Sequence, residues 1–216
     1  MDRHDPAKRI GMIIDEWGTW FDVEPGTNPG FLYQQNTLRN ALVAGLSLNI
    51  FNAHAERVHM TNIVQTINVL QAMILTEGPK MLRTPTYHVF EMYKVHQDAT
   101  LLPSHFECGT YDMTNKKIPQ LSVSASRSEN GTINLSLCNL HHDDDADLNC
   151  EFRGTSLSSV TGRILTSSSM CTHNTFKEPD KLVPNTFGDF KLAKNRLAIK
   201  LPAKSVVVLE IRDLKK

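Results

Sequence analysis

The run Gly11-Met-Ile-Ile-Asp-Glu-Trp-Gly-Thr-Trp-Phe21 decides how this chain is read. A glycine and three apolar residues lead straight into an acidic pair, and aromatics follow. Strands of a parallel sheet are buried on both faces and so nearly continuously apolar, and in parallel barrels the reacting groups sit at their C-terminal ends. Asp15 and Glu16 occupy such an end. Alternation sends them to opposite sides, so only one of them can point into a barrel mouth. A carboxylate there, flanked by Trp17 and Trp20, has the ingredients of sugar chemistry. Aromatic faces stack on a sugar ring, and a carboxylate can attack an anomeric carbon. The alternative is a solvated or salt-bridged strand end with both tryptophans in a core. The tripeptide by itself does not choose.

Working outward, residues 1–98 alternate strand and helix. A Gly/Pro-rich loop runs from Asp22 to Gly30. Gln34 to His54 reads as a helix, with Leu38, Leu42, Gly45, Leu46, Asn49 and Ile50 at three- and four-residue intervals. Arg57 to Gln65 is compatible with a second strand. Thr84 and Pro85 mark a helix start, Thr84 as the N-cap and Pro85 in the first turn. This is the grammar of a parallel barrel or doubly wound sheet. Two strands satisfy neither, because parallel strands need both faces and both edges covered. The chain therefore reads as beginning in the middle of a domain.

Residues 99–216 change character. Short alternating runs replace helical periodicity: Leu121–Ser126, Thr132–Cys138, Asp147–Phe152, Ser159–Leu165, Leu197–Leu201 and Ser205–Ile211. These predict a half-buried antiparallel β-domain, most simply a sandwich. The fold class is thus α/β plus all-β: the C-terminal remnant of a (β/α)8 barrel over 1–98, then a β-sandwich over 99–216. Alone, residues 1–98 are expected to be molten, aggregated or paired with another chain, while residues 99–216 are expected to fold independently.

Composition narrows the function classes. The chain has 216 residues, 40% hydrophobic and 21% charged, with 23 basic and 23 acidic side chains and a formal net charge of zero. That balance offers no electrostatic match to nucleic acid or to a membrane surface. The polar stretch Met1–Arg9 has no signal-peptide core, which favours the cytoplasm and otherwise leaves localisation open. Cys108, Cys138, Cys150 and Cys171 match no zinc spacing and read as free, partly buried thiols. His141-His142-Asp143-Asp144-Asp145 reads as a solvated hairpin loop rather than a metal cluster. Phe106, Tyr111, Phe152, Phe176, Phe187 and Phe190 are expected in a core or at its margin, not as a sugar platform.

Several stretches carry a resemblance: Ile14–Arg39, Asn49–Gln65 continuing through Thr66–Gln71, Ile74–Gly78 and Thr84–Gln97. In the second half Ser124–Ser126, Gly162–Thr166, His173–Phe176 and Leu201–Leu209 keep the same pattern. Together they resemble the α-L-arabinofuranosidases of glycoside hydrolase family 51 over essentially the whole chain. The resemblance implies a barrel with a β-sandwich and retaining hydrolysis of terminal arabinofuranosides. It implies Glu16 as nucleophile, at the end of the seventh barrel strand. Gln65, near the end of the eighth, would hydrogen-bond the arabinose, and Trp17 and Trp20 would sit at the site rim. It implies no metal or organic cofactor, arabinofuranoside-containing glycans as substrates, and often a hexamer.

One departure matters. A retaining glycosidase needs two carboxyls about 5–5.5 Å apart. The family's acid/base glutamate follows an asparagine at the end of barrel strand four, and no Asn-Glu pair precedes Glu16. Glu77, Glu91, Glu107 and Glu129 lie too late in the chain to stand in. The expectation is an enzyme part with the nucleophile but no acid/base, inactive alone and needing the missing barrel segment or another chain. The alternative is a non-catalytic structural or carbohydrate-binding β-sandwich module.

Overall fold

The computed structural model describes residues 1–114 and 116–214. In chain order the elements are β1 (Met12–Trp17), α1 (Leu38–Ala53), β2 (Val58–Ile63), β3 (Ile74–Glu77), β4 (Lys80–Arg83), α2 (Pro85–Tyr93), β5 (Thr100–Leu101), β6 (Thr110–Met113), β7 (Lys116–Pro119), β8 (Leu121–Arg127), β9 (Ile133–Asn139), β10 (Ala146–Glu151), β11 (Leu157–Thr166), β12 (Asn185–Thr186), β13 (Phe190–Ala193), β14 (Arg196–Leu201) and β15 (Ser205–Asp213). β1 and β2 pair in parallel across α1. The later strands form an antiparallel six-stranded sheet, ordered β12-β11-β15-β9-β8-β5, and a three-stranded sheet, β10-β14-β13. Barrel-type elements followed by a β-sandwich are thus both present.

The molecule is layered helices, large sheet, small sheet. Leu135, Leu137, Val207 and Leu209 of the large sheet meet Leu197, Ile199 and Leu201 of the small one in one apolar cluster. On the other face, Cys138, Leu165, Val206 and Val208 pack against Leu38, Ala41, Leu42 and Ala44 of α1 and Val89, Met92 and Tyr93 of α2. The two halves therefore share a core, where the sequence suggested a sandwich able to stand alone.

That second face corrects the expectation of a half-buried sheet. Every residue of β9 is buried. Ser122, Ser124, Ser126 and Ser136, which alternate with apolar residues as a solvent face would, are buried as well. Their small hydroxyls let α1 approach. Asn49 of α1 donates to Ser122 Oγ at 3.1 Å and accepts from Ser136 Oγ at 2.7 Å. At Gly45 the approach is so close that a Cβ would lie 2.7 Å from Cys138 Sγ. Burial pushes the Cys138 thiol up to about 12 and the Tyr93 phenol well above its usual value.

Other differences are local. α1 starts at Leu38, not at Gln34, because Thr37 and Asn40 form a reciprocal capping box there. Thr84 caps α2 as expected, accepting from Tyr87 N, with Pro85 in the first turn. The hairpin β3–β4, turning at Gly78-Pro79, has its own small cluster of Ala72, Leu75 and Leu82. The His141–Asp145 segment is not a hairpin: β9 and β10 belong to different sheets, and the segment carries the chain between them. Phe187 is buried, whereas Phe106 is 43% exposed and lies outside any core. All four cysteines are free, and no helix of the described residues is long and apolar enough to cross a membrane.

Candidate active site

β1 and β2 end level. Trp17 lies opposite Ile63, and Val64 N donates to Trp17 O at 2.9 Å. Glu16 is the penultimate residue of β1, and Gln65 follows β2 by two residues across a cis peptide. Both are exposed. The carboxylate and the carboxamide thus emerge at the same, C-terminal, end of the parallel pair. At the opposite end Arg57 anchors the chain, donating to Asp5 Oδ2 at 2.7 Å, Asp2 Oδ1 at 2.6 Å and Ile10 O at 2.8 Å. The Ile10 N–H and then the Arg57 guanidinium hold the Asp5 carboxyl below its usual range.

The structure separates the two tryptophans. Met12 and Ile14 line a cleft with Ile50 and Phe51 of α1. Simple alternation would place residue 16 on that side next. The register shifts between Ile14 and Trp17, and Trp17 takes the helix side instead. Its ring meets Phe51 edge-on at 5.3 Å and stacks on Phe90 at 6.0 Å. Its neighbour Glu16 is exposed. Trp20 is 65% exposed, so of the two rings it is the one free to meet a ligand.

Behind this end lies a network of buried amides that the sequence did not reveal. Gln34, Asn40 and Gln71 are fully or almost fully buried. Gln71 Oε1 accepts from Thr19 N at 2.8 Å and Thr19 Oγ1 at 3.1 Å, while its Nε2 donates to Asn40 O at 2.8 Å and Thr86 Oγ1 at 3.1 Å. Gln34 accepts from Phe21 N at 2.8 Å and donates to Thr19 O at 3.2 Å. Asn40 Nδ2 donates to Thr19 Oγ1 at 2.6 Å. The loop after β1, the loop after β2 and the first turns of both helices are joined. The only sequence signal was amide residues at positions where a helix or loop surface was expected.

The His141–Asp145 segment is remote from this end in chain and sheet. His141 stacks on His142 at 5.0 Å, and Tyr111 meets His141 edge-on at 5.1 Å. His141 Nδ1 accepts from Asp144 N at 2.8 Å, so that nitrogen is occupied. Among the described residues no group of three or more His, Cys, Asp or Glu is arranged to hold a metal ion.

The site elements can be compared with known proteins. A family model described as alpha-L-arabinofuranosidase C-terminal domain matches residues 15–205. The chain is 46% identical over 213 residues to an intracellular exo-alpha-L-arabinofuranosidase of Bacteroides ovatus, covering 98% of this chain and 41% of that protein. An exo-alpha-(1->6)-L-arabinofuranosidase of Bifidobacterium longum is 26% identical, over 85% of this chain and 38% of its own length. The crystal structure of a GH51 arabinofuranosidase from Xanthomonas axonopodis pv. citri matches with a TM-score of 0.95 at 45% identity, covering 98% of this chain and 43% of that one. An arabinose complex of a Thermotoga maritima enzyme shares the fold, with a TM-score of 0.83 at 21% identity over 99% of this chain and 45% of that one. The chain spans less than half the length of the curated relatives it matches.

Proposed function

The chain belongs to the alpha-L-arabinofuranosidase C-terminal domain family, and from that premise we propose that it is the nucleophile-bearing part of a retaining glycoside hydrolase. The enzyme would release terminal non-reducing α-L-arabinofuranosyl residues from arabinose-containing polysaccharides or oligosaccharides. Residues 1–98 are read as the last two strands and helices of the barrel, and residues 99–216 as the sandwich that packs beside it.

One observation supports the reading: the exposed Glu16 lies at the C-terminal end of a parallel strand, the same end at which exposed Gln65 follows the neighbouring strand. In the proposed roles Glu16 attacks the anomeric carbon and Gln65 hydrogen-bonds the bound sugar. Trp20 offers a face to the ring, and Trp17 holds the strand end against the helices. The attacking carboxylate expels the glycosidic oxygen, which must be protonated as it leaves, and water then releases the sugar from Glu16. The proton donor is a second carboxyl from polypeptide outside these 216 residues, joined to this chain or separate. That polypeptide, with the remaining barrel strands, is the proposed partner.

The test is a chimera in which this chain replaces the matching C-terminal part of the Bacteroides ovatus enzyme. Hydrolysis of an aryl α-L-arabinofuranoside by the folded chimera should fall at least about 10³-fold in Glu16→Gln. A folded chimera whose activity survives that substitution would remove Glu16 from the nucleophile role.

A further inference from the structure

We infer that Thr19 is a positioning residue whose backbone and hydroxyl, gripped by three buried amides, set the direction in which the chain leaves β1 and so the placement of Glu16 and Trp20. The inference rests on the nucleophile reading of Glu16 for its catalytic consequence, and on geometry for the rest. Thr19 follows Glu16 by three residues and immediately precedes Trp20. All its hydrogen-bonding groups are engaged. Its N–H donates to Gln71 at 2.8 Å, and its carbonyl accepts from Gln34 at 3.2 Å. Its hydroxyl donates to Gln71 at 3.1 Å and accepts from Asn40 at 2.6 Å and Gln34 at 3.3 Å.

The grip has a fixed polarity. Gln71 accepts twice through Oε1 and donates twice through Nε2, which uses the full capacity of a carboxamide. Flipping it would set an NH2 group against the Thr19 N–H and an oxygen against the Asn40 carbonyl. The orientation is therefore locked. Gly18 completes the passage. A Cβ there would sit 3.4 Å from Gln71 Oε1 and 3.5 Å from the Val64 carbonyl, and its φ of +151° lies in a region that favours glycine. The strand end that carries Glu16 is thus threaded between the end of β2 and Gln71. The four residues in the grip come from the loop after β1, the segment before α1, α1 itself and the loop after β2. Thr86 of α2 closes the ring through Gln71.

The pair Thr19→Val and Thr19→Ser separates the hydroxyl from the shape of the side chain. In the 216-residue chain, Thr19→Val should speed hydrogen exchange at the Phe21 and residue-19 amides at least tenfold and leave β9 unchanged. Thr19→Ser should restore most of the protection. In the chimera with Glu16-dependent activity, Thr19→Val should lower kcat by about 10- to 100-fold with a smaller change in KM, and Thr19→Ser should recover to within about threefold. Unchanged exchange in Thr19→Val overturns the inference whatever the activity. So does unchanged kcat in a chimera that Glu16→Gln inactivates. If no preparation hydrolyses arabinofuranosides, the nucleophile reading fails, and the exchange result still decides whether Thr19 orders the loop. Should Thr19→Val prove unfolded by circular dichroism, Gln71→Met, which removes the acceptor of the Thr19 N–H and hydroxyl, gives the comparison from the other partner. The residue-19 amide should then exchange at least tenfold faster, and an unchanged rate overturns the inference.

Discussion

The Ser136 hydroxyl donates to the Asn49 carboxamide oxygen at 2.7 Å, joining the C-terminal half of α1 to one of the two central strands of the large sheet. The same carboxamide donates to Ser122 Oγ at 3.1 Å. Asn49 is 2% exposed, so water does not replace these partners when it is removed. Asn49→Ala is expected to destabilise by about 1–3 kcal/mol. Tryptophan fluorescence, which reports residues 17 and 20, and far-UV circular dichroism, which reports mainly the sheets, should give one urea midpoint before and after. Two separate midpoints in the parent chain would mean that the shared core does not couple the halves.

Gly45→Ala sets two effects against each other. Alanine gains about 1 kcal/mol of helix propensity over glycine. The new methyl would lie 2.7 Å from Cys138 Sγ and 3.3 Å from the Tyr93 hydroxyl, and overpacking of that kind costs about 1–3 kcal/mol. A net loss and a lower Tm are expected, since Cys138 is on a strand buried on both faces and cannot give way. Gly45→Ala with Cys138→Ala should be less damaging than the sum of the two single changes. Strict additivity in thermal unfolding would mean that the sulfur is not what the methyl meets.

Burial pushes the imidazoles of His88 and His96 down to about 4, with Arg83 adding to the effect at His88 against the pull of Glu91 and Asp180. Unfolded, each would titrate at ~6.5. Between those values the unfolded chain binds protons that the native chain does not, so stability rises with pH across that window. The urea midpoint should be flat between about pH 7 and 8 and fall as the pH drops from ~6.5 toward 4. His88→Gln, which does not titrate, should shallow the slope. Equal midpoints at pH 7.5 and pH 5 would contradict neutral burial of the pair.

The tryptophans should differ sharply in access to solvent. With Trp20→Phe, the remaining Trp17 is sandwiched by Phe51 and Phe90 and should resist acrylamide quenching. With Trp17→Phe, the remaining Trp20, at 65% exposure, should quench several-fold more strongly. Similar quenching constants would undo the assignment of Trp17 to packing.

Much of the fold was legible from strand-like runs bounded by turn residues. Leu197 to Leu201 alternates and marks β14, Ser205 to Ile211 is nearly continuously apolar and marks β15, and Thr84-Pro85 marks the start of α2. The place of Glu16 at a strand end was legible from the apolar run before it, whereas the role proposed for it comes from the family resemblance and not from the tripeptide. The serines of β8 and β9 misled, since alternation with a small polar residue looks the same whether the partner is water or a close-packed helix. A clue was available: neither row contains lysine or glutamate, which a solvated face normally carries. The amides around Thr19 were illegible for another reason. Gln34 and Gln71 look like surface residues in sequence, and only the meeting of loops distant along the chain makes them interior groups.

The serine row has a consequence for portability. A β-sandwich with a charged outer surface can be spliced onto unrelated enzymes as a self-sufficient cassette. Here one side of the large sheet is cut to the relief of a particular helix, down to a glycine opposite a thiol. Transplanted without α1 and α2, it would present small hydroxyls, Cys138 and Val206 to solvent and invite self-association. Recombination that preserves this chain's function should therefore break upstream of β1, where helices and sheet travel together, and not at the junction near residue 98.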